Sequence, residues 1–484
     1  MRLSIVILIV CFGAFLHQVN AQKNDSTLLY KQKVLESIEV DMLMSYYTQD
    51  GTHSAVGGGV GTEELSDGTP AIVVKVPLNA DDVLTFDVGI SAYTSASSSN
   101  INPFNTGASQ GEDEDEDEYE DNYSVSSNGP TGSPWVASSG ASRSDVLAAG
   151  HISYAHQSDD RNFIWGLNGD VSNEYDYTSI GFGGQIARLF NDKNTEVGLK
   201  GQVYLDTWRP IYPTELHEYE RYGSNFLNQG YFSGVDVLNL NGAVTDLYHP
   251  DDFSSISDGK RNSYSMSLSF SQILSKRFQA SVFLDFIQQS GLLSTPYHRM
   301  YFADKEDYFV GQATDIPNYT SPTNRSVFHL ADDIERMPDT RFKMPVGARM
   351  NYYISNTFVI RSYYRYYQDD WGMDGHTMEV ELPVRLFQGF SVTPTFRYYT
   401  QTEVDYFAGY EQHFSTEQYY TSDYDLASFN SNQYGLGLSY TDIFTKLHVS
   451  KFGMKNIWTK FSHYDRSDGL SANIISFGVR FVMD

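Results

Sequence analysis

Residues 263–272 read Ser-Tyr-Ser-Met-Ser-Leu-Ser-Phe-Ser-Gln. Tyr264, Met266, Leu268 and Phe270 fall on one parity, and Ser263, Ser265, Ser267, Ser269 and Ser271 fall on the other. Successive side chains of a strand point to opposite faces, so this stretch makes a strand with one apolar wall and one hydroxylated wall. The pattern recurs. Phe278, Ala280, Val282, Leu284 and Phe286 alternate with Gln279, Ser281 and Asp285. Met378, Val380, Leu382, Val384 and Leu386 alternate with Thr377, Glu379, Glu381 and Arg385. Phe390, Val392, Phe396 and Tyr398 alternate with Ser391, Thr393, Thr395 and Arg397, and Ile475, Phe477, Val479 and Phe481 with Ser476, Gly478 and Arg480.

A half-buried soluble sheet shows the same alternation, so the connections have to decide. One set is tight: 79–82, 191–194, 274–277, 354–357 and 387–389. The other set is long and polar, at roughly 95–142, 209–260, 290–340 and 401–432, and the two sets alternate along the chain, as in outer-membrane barrels. Counting strands up and down by this rule gives about 16, with both chain ends on the short-turn side. The expected fold is an all-β transmembrane antiparallel up-and-down barrel, which pairs every backbone group and leaves no open edge. A secreted sandwich or propeller would need the apolar stripes inside and whole faces of Ser, Arg and Glu in water, which fits the long Tyr-rich loops poorly.

Composition agrees. The 484 residues carry 33 Lys and Arg against 61 Asp and Glu, a formal charge of −28, which opposes binding to nucleic-acid phosphate. The 36 Tyr and 30 Phe argue against bulk disorder and suit aromatic girdles at two membrane interfaces. Arg2, an apolar run over 5–16 and Val19-Asn20-Ala21 have the order of a secretory signal peptide, expected over 1–21. Residues 22–484 then form a single outer-membrane barrel domain. The one cysteine, Cys11, lies in the apolar run, so the mature chain has no thiol for a disulfide or a metal.

Several stretches carry a resemblance. They are Ser45-Tyr-Tyr-Thr-Gln-Asp-Gly-Thr-His-Ser-Ala-Val56 with the following Gly57-Gly58-Gly59-Val60-Gly61-Thr62-Glu63; Asp192-Lys-Asn-Thr195; and Asp206-Thr-Trp-Arg-Pro-Ile-Tyr-Pro213. Then come Gly291-Leu-Leu-Ser-Thr-Pro-Tyr-His-Arg299 and Tyr366-Tyr-Gln-Asp-Asp-Trp-Gly372, with His376-Thr377 behind. In this order they resemble an uncharacterised bacterial family of outer-membrane barrels, the domain of unknown function 3570. The resemblance implies a barrel fold and an outer-membrane location, and it implies no activity. The acidic insert after Ser95 lies outside that pattern.

Candidate chemistry follows from parity. Lys343, Arg349, Arg361, Arg365, Arg385 and Arg397 share the polar face with Glu379 and Glu381 on neighbouring strands. Opposite charges across strands stabilise each other, so the set reads either as a self-neutralising ladder that stiffens the wall or, from its excess of arginine, as a selectivity element for anionic or polar solutes. For closure, Arg480 on the last strand should meet Glu39 or Asp41 on the first, because those strands pair in a closed barrel. Two segments echo each other in Asp, Gly and His, which makes Asp50, His53, Asp374 and His376 a candidate metal set at the rim. Turn chemistry at Asp-Gly explains the same residues. The acidic run over 112–121 reads as a solvated surface loop with weak cation binding at most.

No Gly-x-Ser-x-Gly elbow, His-Glu-x-x-His or phosphate loop is present, so no enzyme is expected, although a wall serine with His298 or His151 would be the hydrolase to look for. No cofactor is expected beyond that surface cation. The expected partners are outer-membrane lipid and lipopolysaccharide, the barrel-assembly machinery and a small envelope lipoprotein, with no nucleic acid. The function these residues point to is a porin-like pore for small polar or anionic solutes, and its alternative is an occluded barrel serving as a surface scaffold.

Overall fold

The computed structural model describes residues 33–95, 144–324 and 326–483. The expected signal peptide and almost all of the acidic loop lie outside the described residues.

The alternating segments become sixteen antiparallel strands in one closed sheet. The first seven are β1 (Glu39–Asp50), β2 (Leu65–Pro77), β3 (Asp82–Ser95), β4 (Ser144–Gln157), β5 (Phe163–Asn173), β6 (Tyr177–Phe190) and β7 (Thr195–Trp208). Next come β8 (Lys260–Ser275), β9 (Phe278–Gly291), β10 (Thr340–Lys343 with Val346–Tyr353) and β11 (Val359–Gln368). The wall continues with β12 (Asp374–Glu381 with Val384–Phe387), β13 (Phe390–Gln401), β14 (Phe429–Thr441), β15 (Phe452–Arg466) and β16 (Ser471–Met483). Each strand pairs with its sequence neighbours, and β1 pairs with β16 from Glu39–Val482 to Asp50–Ser471, which closes the ring. Pro345 and Pro383 divide β10 and β12, since proline brings no N–H to a ladder. Their carbonyls still accept from Asp285 and Val359, so the wall stays continuous.

Parity runs one way around the ring. In β8, Leu268 on the outer face is 41% exposed, while Ser263 on the inner face is 1% exposed. The outer belt carries ring contacts, Phe278 with Tyr352 at the turn end, where a barrel girdle sits, and Phe396 with Tyr434 midway up the wall. The tight connections take left-handed backbone where they must: Asn191, Asp192 and Lys193 all have positive φ between β6 and β7.

Inside, large side chains lie flat on glycines of the next strand. Phe283 of β9 crosses Gly347 of β10 and stacks on Tyr363 of β11, at 5.9 Å between centroids and 13° between planes. Trp458 of β15 covers Gly478 of β16 in the same way. A side chain at Gly347 would enter the Phe283 ring. Gly347→Val is therefore expected to cost about 1–3 kcal/mol and to push that ring into the lumen. Chemical denaturation of the folded barrel measures the first effect, and a reduced single-channel conductance would show the second.

The long connections on the opposite end from the turns do not trail into solvent. Segments 209–259, 292–339 and 402–428 fold together into a cap containing α1 (Thr214–Tyr222) and a small sheet of Val237–Asn239, Tyr308–Gly311 and Val327–His329, with Phe302 bridging to His413 and Arg336 to Tyr420. The cap has its own apolar core. Phe226, Phe232, Tyr248, Val310 and Leu330 pack in one cluster, and Leu216, Phe253, Tyr301 and Ile334 in the next. Full burial of one such side chain stabilises by about 1.5–3 kcal/mol, so the loops hold a defined shape.

Candidate functional site

The ladder register sets which charges face the lumen, and the two arcs of the wall differ in sign. On β2–β9 the inward positions include Asp67, Asp87, Asp170, Glu196, Asp206 and Asp285, against Lys75, Lys200 and Arg261. On β10–β16 they include Arg341, Lys343, Arg349, Arg361, Arg365, Arg385, Arg397, Lys460, Arg466 and Arg480, against Glu379 and Glu381.

Each arc is internally bonded. On the acidic side His151 Nδ1 lies 2.6 Å from Asp170 Oδ1, while Asn168 and Gln202 both donate to Asp170 Oδ2 at 2.8 Å. His151 thus takes a carboxylate as its partner. On the basic side Arg361 and Lys460 approach Glu381 at 3.9 and 3.7 Å, and Glu379 stands opposite Arg397 in the register. Arg349 packs over Phe283 and Tyr363, and Arg365 over Tyr367. Lys343 bridges in the ladder to Asp369 near the cap, and Arg385 is exposed near the turn end of β12. At closure Arg480 Nε donates to Asp41 Oδ1 at 2.7 Å, and Glu39 is approached instead by Lys455 at 3.7 Å.

Inward side chains at the loop ends of the strands tie the wall to the connections above it. Gln49 donates to the Glu63 carbonyl at 3.1 Å, and Gln401 to the carbonyls of Asp425 and Ala427 at 2.9 and 2.6 Å. Arg466 donates to the Tyr424 carbonyl at 2.8 Å with its guanidinium 4.0 Å from the Phe429 ring centre. Arg341 pairs with Asp369 over the Trp371 ring. In the cap, Arg299 holds Glu215 of α1 at 2.7 and 3.2 Å and donates to the Val56 carbonyl at 3.2 Å.

The proposed metal set at the rim is not gathered into one site. Asp374 and His376 share the outer face with Met378 and Val380, where Tyr366 donates to Asp374 at 2.6 Å and the Tyr364 hydroxyl lies 2.8 Å from His376 Nδ1. Parity sends them outward. His53 stacks on Tyr424 at 3.9 Å, its Nδ1 3.2 Å from the Gly59 carbonyl, and Asp50 ends β1 exposed on the outer parity. Among the described residues, histidine and carboxylate groups converge elsewhere, in the cap: His298 with Glu335 and Asp423, and His329 with Asp307 and Glu411. In the second group burial and Arg299 push the His329 imidazole down to about 3, while burial and Glu411 push Asp307 up to about 6. His329 Nδ1 already has the Tyr410 hydroxyl at 2.5 Å.

Sequence reasoning named the arginines and passed over the acids facing them, although Asp67, Asp87 and Asp170 stand on the polar parity of their own strands. Their signal was parity alone, because they carry no motif.

Comparison with known proteins gives one family match. A family model described as "Protein of unknown function (DUF3570)" covers residues 91–467. No curated protein matches the chain. Among solved structures the chain is similar to a "Bacterial polysaccharide outer membrane secretin", at 9% identity and TM-score 0.40, over 92% of this chain and 98% of that one. It is also similar to a TodX monoaromatic hydrocarbon channel mutant, at 6% identity and TM-score 0.36 over 93% and 91% of the two chains. For OccK1 (OpdK) of Pseudomonas aeruginosa the figures are 7%, 0.35, 92% and 98%.

Proposed function

The chain belongs to the DUF3570 family, and on that premise we propose that it is an outer-membrane barrel passing small polar solutes through its charge-divided lumen. The observation that carries this reading is the separation of charge between the arc β2–β9 and the arc β10–β16. Rings or ladders of charged side chains set the preference of a pore. Two facing ladders of opposite sign also impose a field across the lumen, which orients dipolar solutes and admits anions along the arginine side. On β10–β16 the ten inward bases outnumber the acids even when Asp369, Asp425, Asp468 and Asp41, the partners of Arg341, Arg466 and Arg480, are counted with Glu379 and Glu381. The outward apolar belt with its ring contacts supports the membrane location, and lipid, lipopolysaccharide and the assembly machinery are the partners this location entails.

Planar-bilayer recording tests the reading. The wild-type protein is expected to give discrete open steps, and neutralising Arg361 and Arg365 to glutamine should move the reversal potential towards cations. An unchanged reversal potential would discard the arginine wall as the selective element. The cap core favours one second reading, an occluded barrel whose folded loops bind a partner such as an envelope lipoprotein. Persistent electrical silence from correctly folded protein would favour it.

A further inference from the structure

We propose that the cap holds a site for one first-row divalent transition ion, of which Zn2+ is the reference, built from His298, Glu335 and Asp423. The three residues come from two connections that are far apart in sequence, β9–β10 and β13–β14. Local pairing sets the first two: Arg299 and Met300 pair with Ile334 and Asp333, and the Glu335 N–H donates to the His298 carbonyl at 3.0 Å. The side chains of His298 and Glu335 are thereby held side by side, Nδ1 to Oε1 3.6 Å. Thr421 then ties in the third. Its hydroxyl donates to Glu335 Oε1 at 2.5 Å and accepts from the Asp423 N–H at 3.0 Å.

The ligand atoms are poised. One atom from each residue lies within 4.8 Å of the other two. A tetrahedral ion with bonds of about 2.1 Å places its ligand atoms roughly 3.4 Å apart, so small side-chain movements complete the set. Glu335 Oε2 is fixed by the Thr295 N–H at 2.6 Å, and Asp423 Oδ1 by the Asp425 N–H at 2.9 Å. These are the outer contacts that orient metal-binding carboxylates.

An acidic cluster alone would say little. The independent observation is His298, 2% exposed, with neither ring nitrogen in a hydrogen bond. Leaving a buried donor or acceptor unmade costs about 1–3 kcal/mol. An imidazole buried against two carboxylates and without a hydrogen bond is the ligand a borderline cation takes, and one nitrogen with two oxygens suits Zn2+ and its neighbours better than Ca2+. The ion would staple the β13–β14 loop to the β9–β10 loop and so fix the cap over the lumen. A competing arrangement uses a proton in place of the ion, with imidazolium facing Glu335.

The test uses the full-length protein, extracted in detergent, stripped with chelator and titrated with Zn2+ in excess Mg2+ and Ca2+, which saturate the acidic run over 112–121. One equivalent per chain is expected. Asp423→Asn and His298→Asn should each weaken it more than about 100-fold, since even an outer-contact change costs 10–100-fold. His413→Asn, outside the site, should not. Heat-modifiable migration on gels verifies that each variant barrel is folded, and chelation of the wild type should speed protease cleavage within 292–339. No binding by folded wild-type protein, or binding indifferent to both ligand substitutions, would overturn the site. Persistence of the Zn2+ equivalent in an electrically silent protein would leave the site standing and remove only the pore.

Discussion

Glu215→Ala is expected to loosen the cap by about 3 kcal/mol while the barrel stays closed. Glu215 sits in the first turn of α1, and its side chain is 5% exposed against 25% for the Arg299 side chain it holds. It accepts two bonds from Arg299 and one, at 3.2 Å, from the Ala331 N–H. Truncating it leaves a largely buried guanidinium without its counter-charge and strands a backbone donor, and that uncompensated charge is where most of the cost arises. The leftover bond of Arg299 to the Val56 carbonyl cannot neutralise it. Burial would raise the Glu215 carboxyl, but the Arg299 guanidinium beside it holds it below the ordinary glutamate value. A carboxyl lowered on folding contributes stability above its unfolded value of about 4.3, and the contribution fades only as pH falls through the lowered value. The cap should therefore keep its grip at mildly acidic pH and yield only below about pH 4. Limited proteolysis of intact and variant protein reads this directly: cleavage should rise within 209–259 and 292–339, with heat-modifiable migration unchanged. Equal protease resistance in the variant would mean that the apolar clusters alone hold the cap.

The contrast between wall and cap explains what could be read from the chain. Strand parity is a local property, so the sequence around Leu268 carries the orientation of β8 by itself, and the short turns carry the up-and-down order. Cap contacts are of a different kind. Arg299 reaches a glutamate 84 positions away and a carbonyl 243 positions away, and Tyr248 donates to the carbonyl of Ala331, 83 positions on. Nothing periodic in 209–259 announces those partners, and the segment looks like any long polar loop with aromatic residues in it. The rim metal set was misplaced for a more instructive reason. The echo of Asp50-Gly51-Thr52-His53 in Asp374-Gly375-His376 points to His376, yet the alternation with Met378 and Val380 already puts His376 on the outer face. Parity outranks motif here, because the ladder fixes the face of every residue in β12. His298, by contrast, needed its two loops to fold before Glu335 and Asp423 came near, so no spacing in the chain could have found them.

The orientation of the wall makes the sharpest prediction of all, because adjacent residues should behave oppositely. Leu268 points out from the middle of β8, opposite Leu199 on β7 and Leu284 on β9. Ser267 points in, opposite Lys200 and Asp285. Arginine at Leu268 has to place a guanidinium in hydrocarbon near the midplane, at a cost of about 2–4 kcal/mol. Arginine at Ser267 stays inside the wall beside the Asp285 carboxylate, 1% exposed, which gives the new guanidinium a counter-charge that the outer face lacks, so its cost should be the smaller of the two. Guanidinium titration of each protein folded into lipid vesicles, followed by tryptophan fluorescence, should show the larger midpoint shift for Leu268→Arg. The sign of the difference is what matters. If Ser267→Arg were the damaging substitution, the serine wall would be the one that packs dry, and both the lumen and the charge division drawn across it would have to be given up. If both were tolerated in vesicles, the outer belt would not face lipid at that depth, and the barrel would need another environment for its rows of exposed leucine, methionine and phenylalanine.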